Sequence, residues 1–351
     1  RKYFNENRES LELDSLNSEV ESRGATYVNE EDIFAAYIMG SVDINKLHLV
    51  AGVRYERTDF STSGMRVELV ENEETDVEEV VNTPWEAERD YDHWLPSVNA
   101  RYTVSDKLQL RAAYTQTISR PKFEDVAAFQ IIESKTEEDD GVFVTEREAE
   151  VGNPDLQPYE AQNVDLSIEY YPGDIGVVSA GLFYKNIDNF VVYADVAGTT
   201  GWEGFEEVIQ PINGDSADLT GLELSWVKAF NNGFIVSANA TFTDSEATTF
   251  LDGEKFETQL PNQSDRIGNI TIGYEANDFS VRLATTYKSD NFEEIDGDML
   301  RFEDDHVQVD FMARYYINDS MQVYFNGINL GDEPFYNYFD TRNQNAQYEE
   351  Y

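Results

Sequence analysis

Apolar and polar residues alternate with a period of two along much of this chain. In residues 162–171 (QNVDLSIEYY), Val164, Leu166, Ile168 and Tyr170 share one face, and Asp165, Ser167 and Glu169 share the other. That repeat belongs to an extended strand with two unlike faces. Pro172, Gly173 and Asp174 form a tight turn, and a second alternating strand runs from Gly176 past Tyr184. The same hairpin recurs. Residues 31–44 turn at Asn45 and Lys46 and return over 47–58, with Leu47, Leu49, Ala51, Val53 and Tyr55 on one face. Further pairs are 94–104 with 108–117, 219–230 with 234–242, 266–275 with 279–287, and 306–317 with 321–330. The pattern predicts an all-β, antiparallel chain of about six hairpins, or about twelve strands. Residues 1–28 show no usable period and read as the end of a polar loop.

The connections are unequal. Turns near Asn45, Asp106, Gly173, Asn232, Asn277 and Asp319 are short and rich in Asn, Asp and Gly, while the loops at the other ends are long and varied. A transmembrane β-barrel has this asymmetry, with short periplasmic turns and long extracellular loops. No run reaches the roughly eighteen apolar residues of a membrane helix, which excludes helical spans only. Tyr102, Tyr170, Tyr171, Phe230, Tyr274, Tyr315 and Tyr316 precede the short turns. Tyr55, Tyr114, Tyr184, Phe242 and Tyr287 follow them by about nine residues, a climb of roughly 20 Å along tilted strands. Two aromatic girdles at that spacing match an outer-membrane apolar band. The alternation predicts that Leu110, Val236 and Leu283 face lipid, and that Gln109, Arg111, Asn239 and Arg282 face the lumen.

Composition narrows the function. The 351 residues carry a formal charge of −45, a pI near 4.1 and 13% aromatic residues, with mean hydropathy −0.54. So many aromatics do not suit a disordered acidic chain, and so much acid disfavours a nucleic-acid partner. There is no cysteine, hence no disulfide framework or thiolate metal site. His48, His93 and His306 lack metal-ligand spacing, and nothing points to a catalytic constellation, a cofactor or an enzyme. The run 293–298 (EEIDGD) faintly resembles a calcium loop but lacks the EF-hand positions, so it reads as a solvated loop. Acidic blocks at 71–92, 133–150 and 290–305 fall in the long loops. They read as solvated, or as bridged by divalent cations to lipopolysaccharide; the alternative is an acidic funnel that repels anions.

Several stretches, taken in order, resemble one family. They are AAYIMGSVDINKLHLVAGVRYERT (35–58), LPSVNARYTVSDKLQLRAAYTQTISRP (95–121), GNPDLQPYEAQNVDLSIEYY (152–171) with GLFYKNIDNFV (181–191), DLTGLELSW (218–226), LPNQSDRIGNITIGYE (260–275) and FNGINLGDEPFYNY (325–338). The resemblance is to the barrel domain of TonB-dependent outer-membrane receptors of Gram-negative bacteria. The closing QYEEY (347–351) is similar to the saccharide-associated group. The resemblance implies that residues 1–351 form part of one barrel, about twelve strands of a 22-stranded wall, with the plug domain and closing strand outside the chain. It also implies energy from TonB–ExbB–ExbD through that plug, and a location in the outer membrane among lipid and lipopolysaccharide. The expected ligand is an oligosaccharide, with the loop aromatics Trp85, Phe123, Trp202, Phe205 and Tyr336 stacking on sugar rings. The alternatives are a siderophore or cobalamin receptor of the same family, a passive porin or barrel adhesin, and a secreted all-β carbohydrate-active protein.

Overall fold

The computed structural model describes residues 14–75, 77–139, 141–173, 175–251, 254–296, 299–340 and 347–350. Among the described residues, one helix, α1 (Ser15–Gly24), precedes the strands. In chain order these are β1 (Val28–Ile44), β2 (Leu47–Asn72), β3 (Val77–Ser105), β4 (Leu108–Ser119), β5 (Gln130–Asp139), β6 (Val142–Val151) and β7 (Tyr159–Gly173). Then come β8 (Gly176–Asp188), β9 (Val191–Asp195), β10 (Glu207–Asn213), β11 (Ser216–Ala229), β12 (Phe234–Leu251), β13 (Glu254–Thr258) and β14 (Arg266–Glu275). Last are β15 (Phe279–Lys288), β16 (Asn291–Asp296), β17 (Met299–Glu303), β18 (His306–Asn318), β19 (Met321–Gly327), β20 (Tyr336–Asp340) and β21 (Gln347–Glu350).

Twelve of these strands make one antiparallel wall in the order β1-β2-β3-β4-β7-β8-β11-β12-β14-β15-β18-β19. They are the twelve that the alternation predicts. The sheet is open, with β1 and β19 at its edges. Its register carries one row of apolar residues across the wall: Leu47, Tyr102, Leu110, Ile168, Ala180, Leu224, Ala240, Gly268, Tyr287 and Val307. The next row over is His48, Arg101, Arg111, Ser167, Gly181, Glu223 and Thr241. Successive residues point to opposite faces, so one face is apolar and the other polar. The apolar face is uncovered: Ile38 is 73% exposed, Leu182 57% and Ile272 48%. Short turns close one end of the wall. Asn45 takes φ +56°, and Gly233 takes φ +93° where a Cβ would stand 2.5 Å from the Glu275 carbonyl oxygen, so this turn requires glycine.

The aromatic rows need one correction. Tyr55, Tyr114, Tyr184, Phe242 and Tyr287 all lie on the apolar face. Near the short turns, Tyr102, Tyr170 and Tyr315 do too, but Tyr171 and Tyr316 belong to the polar face, because adjacent residues of a strand cannot share one. Tyr171 there donates to Glu169 at 2.7 Å.

At the other end the long connections are not loops. Residues 59–92 extend β2 and β3 as one hairpin, paired from Leu47 with Tyr102 out to Asn72 with Val77. β5 pairs in parallel with the outer part of β2, β6 pairs with β5 and in parallel with β10, and β10 pairs with β9. A separate sheet orders β16-β17-β20-β21. Together these elements form a cap, and the buried core sits there. Ile132, Ala149, Val151 and Val208 make one cluster; Phe190, Val192, Ala217 and Ala247 make another. Helix α1 lies where only a polar loop end is expected. Asp14 caps it by accepting from the Asn17 amide at 3.1 Å, and Val20 and Leu16 pack on Val67 and Leu69 of β2.

Candidate functional site

A cavity of about 500 Å³ lies in the cap, between the β9 side and the β16–β17 hairpin. The segment after β4 supplies Arg120, Lys122 and Asp125; β7 and β9 supply Tyr159 and Tyr193; β16 and β17 supply Phe292, Glu293, Glu294 and Arg301. Pro261 and Asn262 close one side, and the Asn262 amide donates to the Phe292 carbonyl at 2.7 Å. Arg120 ties the cavity to the wall. Its guanidinium donates to Glu56 and to the Thr58 hydroxyl, each at 2.9 Å, and stands 3.5 Å from Glu31.

Tyr193 donates to Asp125 at 2.5 Å. Burial, then the bond to Asp125, pushes its phenol well above the usual range, so it stays a donor. Burial likewise raises the Tyr159 phenol. Arg301 meets Glu293 at 3.4 Å and Glu294 at 2.8 Å. Burial still raises the Glu293 carboxyl, because Arg301 offsets that cost only in part and Glu303 and Glu294 add to it. The lining holds three cations (Arg120, Lys122, Arg301) and three carboxylates (Asp125, Glu293, Glu294). Just outside the lining, Glu56 and Glu31 also pair with Arg120 and Glu124 with Lys122, inside a chain of net charge −45.

None of the five aromatics expected to hold sugar lines this cavity. Trp85 is on a strand, opposite Gly64 in the β2–β3 hairpin, not in a loop. Trp202 and Phe205 pack edge to face at 5.2 Å against the Ile132 cluster, and the Arg147 guanidinium covers Phe205 at 4.1 Å. Both are half-buried there. Tyr336 opens β20. Phe123 is 56% exposed beside the cavity segment. The register places Gln109, Arg111, Asn239 and Arg282 together on the polar face, and Leu110, Val236 and Leu283 on the apolar one. Arg282 pairs with Glu275 at 2.6 Å, and Asn239 accepts from Asn269 at 2.9 Å. The calcium-like run is part of a hairpin whose Glu293 and Glu294 face Arg301; its residues 297–298 and the closing Tyr351 lie outside the described residues. Among the described residues, no group of three or more His, Cys, Asp or Glu side chains is placed to hold a metal ion.

Sequence reasoning missed Arg120, Asp125, Tyr193 and Arg301. The signal was present in part: residues 120–122 (RPK) put two cations at the end of a strand in an acidic chain.

An antiparallel wall with one bare apolar face, short turns at one end and long connections at the other belongs to an outer-membrane β-barrel. Residues 2–330 match the family described as TonB dependent receptor-like, beta-barrel, and the chain belongs to that family of integral outer-membrane proteins. A vitamin B12 transporter, BtuB of Photobacterium profundum, is 24% identical over 189 residues, which are 52% of this chain and 28% of the relative. The wall resembles the ferric-catecholate import receptor Fiu of E. coli K12 with a TM-score of 0.62 at 16% identity, covering 88% of this chain and 42% of that one. It also resembles the ferric yersiniabactin uptake receptor FyuA of Yersinia pestis with a TM-score of 0.60 at 15% identity, covering 88% and 42%. The hemophore receptor HasR of Serratia marcescens, solved with its hemophore and heme, gives 0.59 at 14% identity, covering 87% and 49%. The chain thus spans about half the length of these solved relatives or less.

Proposed function

We propose that the protein is the barrel part of a receptor that binds a bulky metal-chelate nutrient, of the siderophore, heme or cobalamin kind, at its outer cap. The polar face of the wall, with Gln109, Arg111, Asn239 and Arg282, lines the lumen. TonB–ExbB–ExbD supplies the energy for uptake. The observation that carries the ligand class is the cation cluster: Arg120, Lys122 and Arg301 converge on one cavity of a chain whose acidity would otherwise turn a chelate's oxygen donors away. The names of the relatives agree with this class, and the expected sugar platforms Trp202 and Phe205 are packed against the cap. An oligosaccharide therefore gives way to the chelate reading.

Calorimetry on the full-length receptor, against ferric catecholates, heme, cobalamin and a set of neutral oligosaccharides, tests this. One member of the chelate group binds. Lys122→Gln, whose side chain is 72% exposed, weakens it on the order of tenfold, the worth of one charge-assisted hydrogen bond, with no loss of folded protein. Binding to an oligosaccharide alone would contradict the proposal.

A further inference from the structure

The polar face carries an arrangement that the outer cavity does not use. Arg101 of β3 stands directly opposite Arg111 of β4 in the ladder. Both guanidiniums are always charged, and like charges directly opposite on paired strands repel. One carboxylate answers both. Glu169 takes Arg111 at two points, Nε to Oε1 at 2.9 Å and Nη2 to Oε2 at 3.2 Å, and it also accepts from Tyr171. Arg101 feels Glu169 at longer range but has no ion pair of its own among the described residues. Among those residues Arg101 is thus left without a direct partner, and so is the Asp165 carboxylate that borders the same cavity.

The wall is hollow beside the pair. Ser167 follows Arg111 across the strands, and with Ala113 this small residue borders a cavity of about 340 Å³ that both arginines, His48, Asn99 and Asp165 also line. His48 is held by Asp43 at 2.7 Å. Asp165 has no hydrogen bond among the described residues.

We propose that Arg101 and Arg111 form an oxyanion site on the inner wall, near the short-turn end, for a carboxylate or phosphate group. Two oxygens of the anion face the two guanidiniums, where charge-assisted bonds are strongest. Ser167 and Asn99 donate beside them, and Asp165 accepts any proton the anion keeps, as in hydrogen phosphate. The site stands apart from the outer cavity and does not depend on which nutrient that cavity takes. Its oxyanion is either a dissolved solute or an acidic side chain of polypeptide lying against the wall.

The test uses the full-length receptor at low ionic strength, as wild type and Arg101→Gln. Each is titrated with sodium phosphate and sodium succinate and then unfolded thermally. For a dissolved anion, the wild type binds one of the two salts and Arg101→Gln binds it at least tenfold more weakly. For a polypeptide carboxylate, the wild type binds neither and Arg101→Gln lowers the unfolding midpoint. Binding that is indifferent to Arg101→Gln would overturn the proposal. So would absent binding with an unchanged or raised midpoint, because losing one member of a like-charge pair that no anion bridges relieves repulsion.

Discussion

The wall and the cap are built from the same strands in opposite senses. Within β2, residues near Leu49 and Val53 show their apolar side to an uncovered face, while Val67 and Leu69 further along are buried beneath α1. The buried apolar residues gather in the cap: Val67, Ile132, Val208 and Phe190 are all 1% exposed or less. The wall keeps Leu166, Leu182, Ile272 and Leu283 in the open. A water-soluble sheet does not leave such an extended apolar surface uncovered. The cap is organised by the hydrophobic effect in water, and the wall by backbone pairing, with lipid as solvent for its outer face. One chain crosses between two solvents.

Substitutions that act in one region and spare the other test that division. The largest effect belongs to the cap core. Phe190→Ala removes a ring at the centre of its cluster, at a cost of about 3–5 kcal/mol. It should loosen the cap, seen as faster proteolysis of the outer segments, while the wall still assembles to a heat-resistant form on gels. Next is the wall. Leu283→Arg puts a charge on the apolar face, costing about 2–4 kcal/mol near mid-membrane, whereas Ala284→Arg adds it to the polar face. Assembly yield in the outer membrane should fall for the first and hold for the second; equal yields would break the assignment of faces.

The smallest effect is a pH dependence at the rim. Asp265, between β13 and β14, has its carboxyl raised by burial and by Asp290 and Asp244. A raised carboxyl favours the folded state below its ordinary range and loses that advantage as pH climbs through the folded value. Asp265→Asn should therefore raise the cap's unfolding temperature at pH 7. The gain should vanish once pH falls below the ordinary carboxylate range. A gain that persists there would assign the effect to packing.

The wall was legible because its information is local. Period-two alternation sets each strand's faces, and short turns rich in Asn, Asp and Gly set the hairpins, so β7 and β8 could be read from residues 162–184 alone. The cap was not legible in the same way. β5 reads as an acidic loop because its partner, β2, lies far back in the chain, with Arg66 beside Gln130. Helix α1 offers Leu16 and Val20 as its apolar stripe, too little to show a helical period over ten residues. The cavity draws Arg120, Tyr193 and Arg301 from three distant segments, so no short motif announces it. The aromatics show the same dependence on distant partners. Trp202 and Phe205 have the chemistry of a sugar platform, and no short-range pattern announces that they also pack against the cluster of Ile132 and Val208.

The most direct test of the account is the side of the membrane on which each end of the wall lies. The natural chain segment has no cysteine, so single cysteines report cleanly. Thr200 lies in the cap between β9 and β10, and Asn232 lies in the short turn between β11 and β12. In the full-length receptor on intact cells, Thr200→Cys should react with a membrane-impermeant maleimide, and Asn232→Cys should react only after the cells are broken. Labelling of Asn232→Cys on intact cells, with Thr200→Cys protected, would contradict the account.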